Sequence, residues 1–147
     1  MLRALSAECC PGHIGAILVG DPDSVIEDEL SKPGSRELEA CGRLKVLRGY
    51  YGRRTQSLVL SSCDASWLGY ERFYGSSSVL CESAQAGVPV FGTPLGWIGD
   101  RVRGTGIGLV GDTGDLEAVL RCLLRLMEPS ARYTVLADNR PGPRRKQ

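Results

Sequence analysis

The strongest hydrophobic pattern in the chain lies between residues 112 and 127. Apolar side chains recur there at i, i+3, i+4, i+7, i+8 and i+11, in Leu116, Val119, Leu120, Leu123, Leu124 and Met127. This spacing predicts an amphipathic helix that buries one stripe of side chains. Asp112 or Thr113 can cap the start of the helix, and Pro129 ends it.

The rest of the chain alternates short apolar runs with segments of helical character. The runs cover residues 14–19, 44–47, 65–69, 88–91 and 106–110. The predicted helices cover 1–10 (the end of a helix), 24–31, 35–41, 53–63, 79–86 and 97–102, with a break at residues 32–34. Continuous apolar runs are typical of parallel strands that are covered on both faces. The alternation therefore predicts an α/β fold with a parallel sheet.

Composition narrows the class of protein. At 147 residues we expect one domain, and a net charge of +1 gives no general affinity for nucleic acid. Six cysteines occur without a CxxC pair and with a single histidine, His13, so we expect no metal site. Cys63, Cys81 and Cys122 lie in apolar segments and are predicted to be core residues. Leu58, Val59 and Ser62 are expected to face inward from their helix.

The first residues and the last residues have different characters. Residues 1–10 lack the long apolar core of a signal peptide, and no apolar run approaches membrane-spanning length, so we expect a cytoplasmic protein, peripheral to the membrane at most. Residues 1–129 are predicted to form the domain. Residues 130–147 are basic and contain proline, and we expect a disordered, solvated tail, with contact to anionic lipid or nucleic acid as the alternative.

Residues 74–78 form the candidate binding segment. Tyr74, Gly75, Ser76, Ser77 and Ser78 precede a helix of small residues with Glu82 in its middle, and Gly87 and Pro89 stop that helix. Backbone N–H groups at such a helix start attract anions, and Glu82 could accept hydrogen bonds from sugar hydroxyls. A phosphate and a ribose would fit. The alternative is a simple N-cap followed by a solvent-exposed glutamate.

This segment resembles a known family. YGSSSVLCESAQAGVPVFGTPLGWIGDRV is similar to the donor-binding half of GT-B retaining glycosyltransferases of group 1, or family 4. The match is close over residues 82–90, extends to residues 106–110, and covers roughly residues 14–127.

The resemblance implies a Rossmann-like parallel sheet with flanking helices, which is one half of a GT-B fold. It implies transfer of a sugar from a UDP-, GDP- or ADP-sugar to an acceptor hydroxyl, with no cofactor and no metal. Glu82 would hold the donor ribose, and the loop that contains Tyr50 would line the base. The alternative is that Tyr50 and Tyr51 are ordinary surface tyrosines. Trp97 would border the donor sugar or belong to the core.

The sequence departs from the family pattern at two places. The family has two glutamates separated by seven residues, and Tyr74 stands where the first is expected. Tyr74 and its neighbours take that role, or Glu71 reaches in as the catalytic residue, or catalysis is impaired. The chain also opens inside the first helix of the family domain, so we expect the first strand and the acceptor domain to be missing.

Such a chain would be marginally stable and inactive alone, with the acceptor domain on a separate polypeptide. The alternatives are a non-catalytic nucleotide-sugar-binding module, a gene remnant, or an epimerase of similar architecture.

Overall fold

The computed structural model describes residues 1–70 and 75–128. The chain divides into two compact units, Met1–Gln56 and Ser57–Gln147, which are described separately below. The predicted tail, residues 130–147, lies outside the described residues, as does Pro129.

The first unit contains three helices and two parallel strands. In chain order these are α1 (Leu2–Leu5), β1 (Ala16–Val19), α2 (Ser24–Ser31), α3 (Pro33–Ala40) and β2 (Leu44–Leu47). Asp23 caps α2 by accepting a hydrogen bond from the backbone N–H of Ile26. The break between α2 and α3 is where it was expected, but α3 begins at Pro33 because proline is tolerated in the first turn of a helix.

One face of the first sheet differs from the expectation. The two strands pair in parallel, with Ile17 beside Lys45 and Val19 beside Leu47. Ile17 is 45% exposed and Val19 is 40% exposed, so the strand is not covered on both faces as its unbroken apolar run indicated. The buried apolar side chains of this unit come from α1, α2, α3, the segment between α1 and β1, and the start of β2, and they include Leu5, Ile14, Leu30, Leu38 and Leu44.

Helix α4 (Arg53–Ser61) crosses the boundary between the units. None of its side chains is buried, and Leu58 is 62% exposed. The prediction that Leu58 and Ser62 face inward is therefore wrong, because both are exposed, and Val59 is only half-buried.

The second unit contains three parallel strands, each followed by a helix. The elements are β3 (Ser66–Leu68), α5 (Ser78–Ala86), β4 (Val90–Gly92), α6 (Gly96–Thr105), β5 (Gly108–Val110) and α7 (Leu116–Met127). The strand order is β3-β4-β5. Gly87 ends α5 in the left-handed conformation with φ 67°, as its position in the sequence predicted.

An apolar cluster fills the second unit. Its buried members are Leu68, Leu80, Val90, Ile98, Val102 and Ile107. Phe91 is fully buried on the central strand and stacks on Trp67 with ring centroids 4.3 Å apart. Gly108 lies directly beside Val90 in the ladder, and a side chain at Gly108 would collide with the backbone of Val90. Close packing therefore holds β3, β4 and β5 together.

The periodicity of the sequence correctly predicted that helix α7 exists. It predicted the ends of the helix and its buried face less accurately. Helix α7 begins at Leu116, and Asp115 caps it by accepting from the N–H of Ala118, so neither Asp112 nor Thr113 is the cap. Asp112 instead accepts from Gly114 in the turn before. The buried positions are Val119, Leu120, Leu123 and Leu126, whereas Leu116 and Leu124 are each 41% exposed.

The burial of the cysteines also agrees only in part with the prediction from the sequence. Cys63 and Cys122 are partly buried, but Cys81 is exposed on α5, so the prediction that it is a core residue is wrong. A residue of any type can reach the outer face of a helix, and an apolar neighbourhood in sequence does not specify which face.

The two units together confirm the α/β fold with parallel strands and flanking helices. Within residues 1–70 and 75–128 no helix is long and apolar enough to cross a membrane. The absence of the first family strand stays a prediction.

Candidate functional site

Three loops leave the same edge of the second sheet. Leu68, Gly92 and Val110 are register partners, so β3, β4 and β5 end at the same level. The backbone N–H of Thr93 donates to the carbonyl of Leu68 at 3.3 Å, and that of Gly111 donates to Gly92 at 3.2 Å. In open α/β sheets, ligands bind beyond these carboxyl ends of the strands.

The start of α5 lies next to the first of these loops. Ser77 is buried and caps the helix, because its Oγ accepts from the N–H of Leu80 at 3.4 Å. The phenol of Tyr70, at the end of β3, makes a hydrogen bond with Ser77. Burial raises the pKa of Tyr70, and the hydrogen bond from Ser77 opposes that rise in part. Tyr70 therefore keeps its proton at neutral pH and links the strand to the helix start.

The exposed approach to α5 consists of small residues. Gly75, Ser76 and Ser78 are exposed, whereas Ser77 points inward. The first N–H groups of any α-helix have no partner within that helix, and they carry the positive end of its dipole. The small-residue segment Gly75, Ser76 and Ser78 is therefore exposed directly before the helix, and Ser77 is its cap. Anion binding at this segment stays a prediction.

Glu82 lies one turn further along α5. It stands four residues after Ser78, which places the two side chains on the same face of the helix. Glu82 is half-buried, and within residues 1–70 and 75–128 its carboxylate has no hydrogen bond or ion pair. A carboxylate that faces the site without a protein partner can accept hydrogen bonds from a ligand.

Two serines that sequence reasoning missed fix the position of α5. Ser83 is fully buried, its Oγ donates to the carbonyl of Val79 at 2.7 Å, and it lies 2.8 Å from the Oγ of Ser66 in β3. This bond joins the strand to the helix directly beside Glu82. The only signal in the sequence was a pair of serines within otherwise apolar elements.

The loop after β4 borders the same edge. Gly99 in α6 packs directly on the carbonyls of Thr93 and Pro94, and Arg103 donates to Pro94 at 2.7 Å, so α6 holds this loop closely. Trp97 is half-buried, packs against the apolar cluster and lies under the guanidinium of Arg101 at 5.3 Å. Trp97 thus takes part in the core and also shows one part of its ring to solvent.

The other predicted site residues lie outside the described part of the second unit. Tyr50 belongs to the first unit, in the loop after β2, and is 94% exposed. That loop is tied by a hydrogen bond from the N–H of Gly49 to Asp21 at 2.7 Å. Glu71 and Tyr74 lie outside the described residues. Among residues 1–70 and 75–128 no group of three His, Cys, Asp or Glu side chains could hold a metal ion.

Solved glycosyltransferase structures share this fold. WaaG, a glycosyltransferase involved in lipopolysaccharide biosynthesis, is 17% identical with a TM-score of 0.71, over 95% of this chain and 36% of WaaG. Anabaena HepE in complex with UDP is 21% identical with a TM-score of 0.69, over 94% of this chain and 37% of HepE. HepE with UDP and glucose is 22% identical with a TM-score of 0.67, over the same shares.

The chain thus spans little more than a third of the length of these neighbours. No protein-family model and no curated protein matches the sequence. At these identities the similarity establishes the architecture: the chain has the fold of one part of a GT-B glycosyltransferase, in agreement with the resemblance in its sequence.

Proposed function

We propose that the chain is the donor-binding part of a retaining group 1 glycosyltransferase, and that it binds a nucleoside-diphosphate sugar at the start of α5. The observation that carries the proposal is the half-buried carboxylate of Glu82, one turn from the exposed loop at Gly75, Ser76 and Ser78. Within the described residues this carboxylate has no hydrogen bond or ion pair. Support also comes from the fold that the chain shares with WaaG and HepE.

Each part of such a donor has a matching group on α5. The diphosphate carries negative charge and suits the N–H groups at the helix start, next to side chains small enough to allow close approach. The ribose hydroxyls suit the carboxylate of Glu82, which can accept two hydrogen bonds. A UDP-sugar is the first donor to test, because the HepE structures contain UDP.

These groups would also assist the chemistry of transfer. The diphosphate gains negative charge as the glycosidic bond breaks, and fixed N–H donors at the helix start stabilise that charge without having to reorganise. Glu82 orients the nucleotide and takes no proton in this scheme. Glu71 or Tyr74 would lie near the donor sugar, and the acceptor hydroxyl would come from a further domain, on the same polypeptide or another one.

Glu82→Ala tests the binding site directly. We expect it to weaken binding of the donor by about 1.5–3 kcal/mol, the usual scale for hydrogen bonds to a charged group. Calorimetric titration with UDP-, GDP- and ADP-glucose measures the loss and also identifies the base. Gln85→Ala, an exposed change on the same helix, is the matched control. Equal affinity of the folded Glu82→Ala variant and the parent would remove Glu82 from the site.

Gly75→Val separates the phosphate from the nucleoside. A branched side chain at Gly75 obstructs the approach to the helix start, so we expect weaker binding of UDP and unchanged binding of uridine. Competition assays with both ligands measure the two affinities, and Ser62→Val, on an exposed residue outside the loop, serves as the control. Parallel losses for both ligands would place the diphosphate elsewhere.

A second candidate function is nucleotide-sugar binding without catalysis. It is favoured by one observation, that Tyr74 stands where the family pattern has the first of its two glutamates. A transfer assay distinguishes the two functions when the chain is supplied with acceptor domains encoded next to it. Donor binding without transfer in every such mixture would favour the binding module.

A further inference from the structure

Two consecutive cysteines in the first unit have opposite environments. Cys9 and Cys10 lie in the turn that follows α1, where the N–H of Cys10 donates to the carbonyl of Ala7 at 2.9 Å. Cys9 is exposed to solvent, whereas Cys10 is buried with 7% of its surface accessible. Both are free thiols in the structure. One thiol is therefore open to reagents, and the next one in the chain is shielded.

Arg43 is in contact with the shielded thiol. Its guanidinium donates to the Sγ of Cys10 at 3.3 Å, to the carbonyl of Pro11 at 3.2 Å and to the carbonyl of Ile14 at 2.8 Å. A guanidinium beside a sulfur atom stabilises negative charge on that atom when it attacks or leaves in thiol chemistry.

The same arginine closes the start of the first sheet. Its backbone carbonyl accepts from the N–H of Ala16 at 2.7 Å, at the first residue of β1, and its N–H donates to Leu38 at 2.8 Å. The thiol of Cys10 is thus one of the groups that hold residues 10–16 against the beginning of β2.

From this arrangement we propose that Cys9 and Cys10 form a redox-active dithiol site, in which Cys9 reacts with small disulfides and Cys10 resolves the product. This site is separate from the α5 site and does not depend on the proposed function.

The reaction balances in two exchange steps. The thiolate of Cys9 attacks a low-molecular-weight disulfide, forms a mixed disulfide and releases one small thiolate, which takes up a proton. The thiolate of Cys10 then attacks the sulfur of Cys9, closes a Cys9–Cys10 disulfide and releases the second small thiol. The protein loses two electrons and two protons, and the small disulfide is reduced to two thiols.

The closed form should be easy to reduce again. Neighbouring Cα atoms are about 3.8 Å apart, which is below the usual range of about 4.4–6.8 Å for disulfides. The ring is therefore strained, and strained disulfides are the labile ones. Ring closure also takes the Cys10 sulfur away from Arg43, so it loosens residues 10–16.

Peptide mapping tests the proposal on the intact chain. Trypsin does not cleave between Lys32 and Pro33, so the peptide of residues 4–36 contains Cys9 and Cys10 and no other cysteine. After exposure to oxidised glutathione and quenching by acid, we expect this peptide to be lighter by about 2 Da, without a glutathione adduct. Dithiothreitol should restore its mass.

Single variants separate the two roles. In the Cys10→Ser variant we expect the reaction to end with a glutathione adduct on Cys9. In the Cys9→Ser variant we expect the peptide to react more slowly than in the parent, because its remaining thiol, Cys10, is buried. Cys81→Ser, which removes an exposed cysteine of the second unit, should leave the mass loss unchanged. Hydrogen exchange should show faster exchange at Ala16 in the oxidised chain.

Two results would overturn the proposal, and neither requires a variant to fold. One is a stable glutathione adduct on Cys9 of the parent chain without ring closure. The other is a Cys9 that reacts no faster with glutathione disulfide than Cys81 does in the same sample. Arg43→Lys keeps the charge but not the three hydrogen bonds, and an unchanged rate of ring closure in that variant would remove Arg43 from the mechanism.

Discussion

The two units of the chain differ in how far their strands are buried and in how many ion pairs they contain. In the second unit the three strands carry buried or half-buried side chains only, and the apolar cluster joins β3, β4 and β5 to α5 and α6. In the first unit every second residue of β1 is exposed. Three of the four ion pairs in the described part of the chain belong to the first unit: Arg3–Glu29, Lys32–Glu29 and Arg48–Glu27.

The difference in packing between the units bears on the position of the candidate donor site. A closely packed apolar interior is sensitive to a change of even one methylene group, whereas exposed ion pairs contribute little and tolerate change. The candidate donor site lies in the closely packed unit. Both tryptophans, Trp67 and Trp97, also belong to that unit, so tryptophan fluorescence follows it specifically.

The largest effect should come from removing the ring at the centre of the second unit. Phe91→Ala leaves a cavity beside Trp67, and we expect a loss of about 3–5 kcal/mol in the free energy of unfolding. Denaturant titration followed by tryptophan fluorescence measures this loss. Leu95→Ala, at a residue that is 68% exposed, should stay within about 0.5 kcal/mol. Similar losses for both variants would contradict the packing comparison.

A smaller effect should follow from breaking the serine pair between β3 and α5. Ser83→Ala leaves the hydroxyl of Ser66 without its partner, and burying such a group costs about 1–3 kcal/mol. The double variant with Ser66→Ala should lose less than the sum of the two single variants, because both partners are gone. A double-mutant cycle measures the coupling, and strict additivity would mean that the observed contact contributes nothing.

A pH titration should separate the units by the sign of their response. The hydrogen bond from Arg48 lowers the pKa of Glu27 below the usual 4.5, and the hydrogen bond from Lys32 lowers that of Glu29. A lowered carboxyl pKa stabilises the folded state above the usual value, and this contribution is lost as the pH falls through the folded value. We expect a small, salt-sensitive weakening of the first unit in acid, and Glu27→Gln should reduce it.

Tyr70 should make the stability of the second unit fall at alkaline pH, whereas that of the first unit falls in acid. Burial raises the pKa of Tyr70 above 10.0, so its contribution is present below that value and is lost as the pH rises through the raised value. Tyr70→Phe should abolish this alkaline response. Hydrogen exchange at the two ends of the pH range locates each response, and an alkaline response in the first unit would break the assignment.

The smallest effect should come from the exposed face of β1. Ile17→Thr keeps a β-branched side chain at a position that is 45% exposed, so we expect a change within about 0.5 kcal/mol. Circular dichroism of the thermal transition measures it. A larger loss would show that Ile17 is covered in solution.

Much of the fold could be predicted because the elements have strong local signals. Gly87 marked a helix end, and the α7 stripe identified an amphipathic helix. The break before α3 was also located, although α3 begins at Pro33 and not at Ser35 as predicted. The buried and exposed faces of the helices were predicted less well. Leu58 and Cys81 are exposed, and Leu126 is buried in place of Leu124, because a helical period of 3.6 leaves several neighbouring stripes open and packing selects among them.

The sequence by itself determined the parallel α/β class, the loop and helix of residues 75–86, and the resemblance of residues 82–90 to a donor-binding motif. Tertiary structure alone decided that Ser66 and Ser83 join strand to helix, and that Arg43 contacts Cys10. These contacts connect residues up to 33 positions apart in the chain. Their formation depends on how whole elements pack, and local propensity contains no information about such pairings.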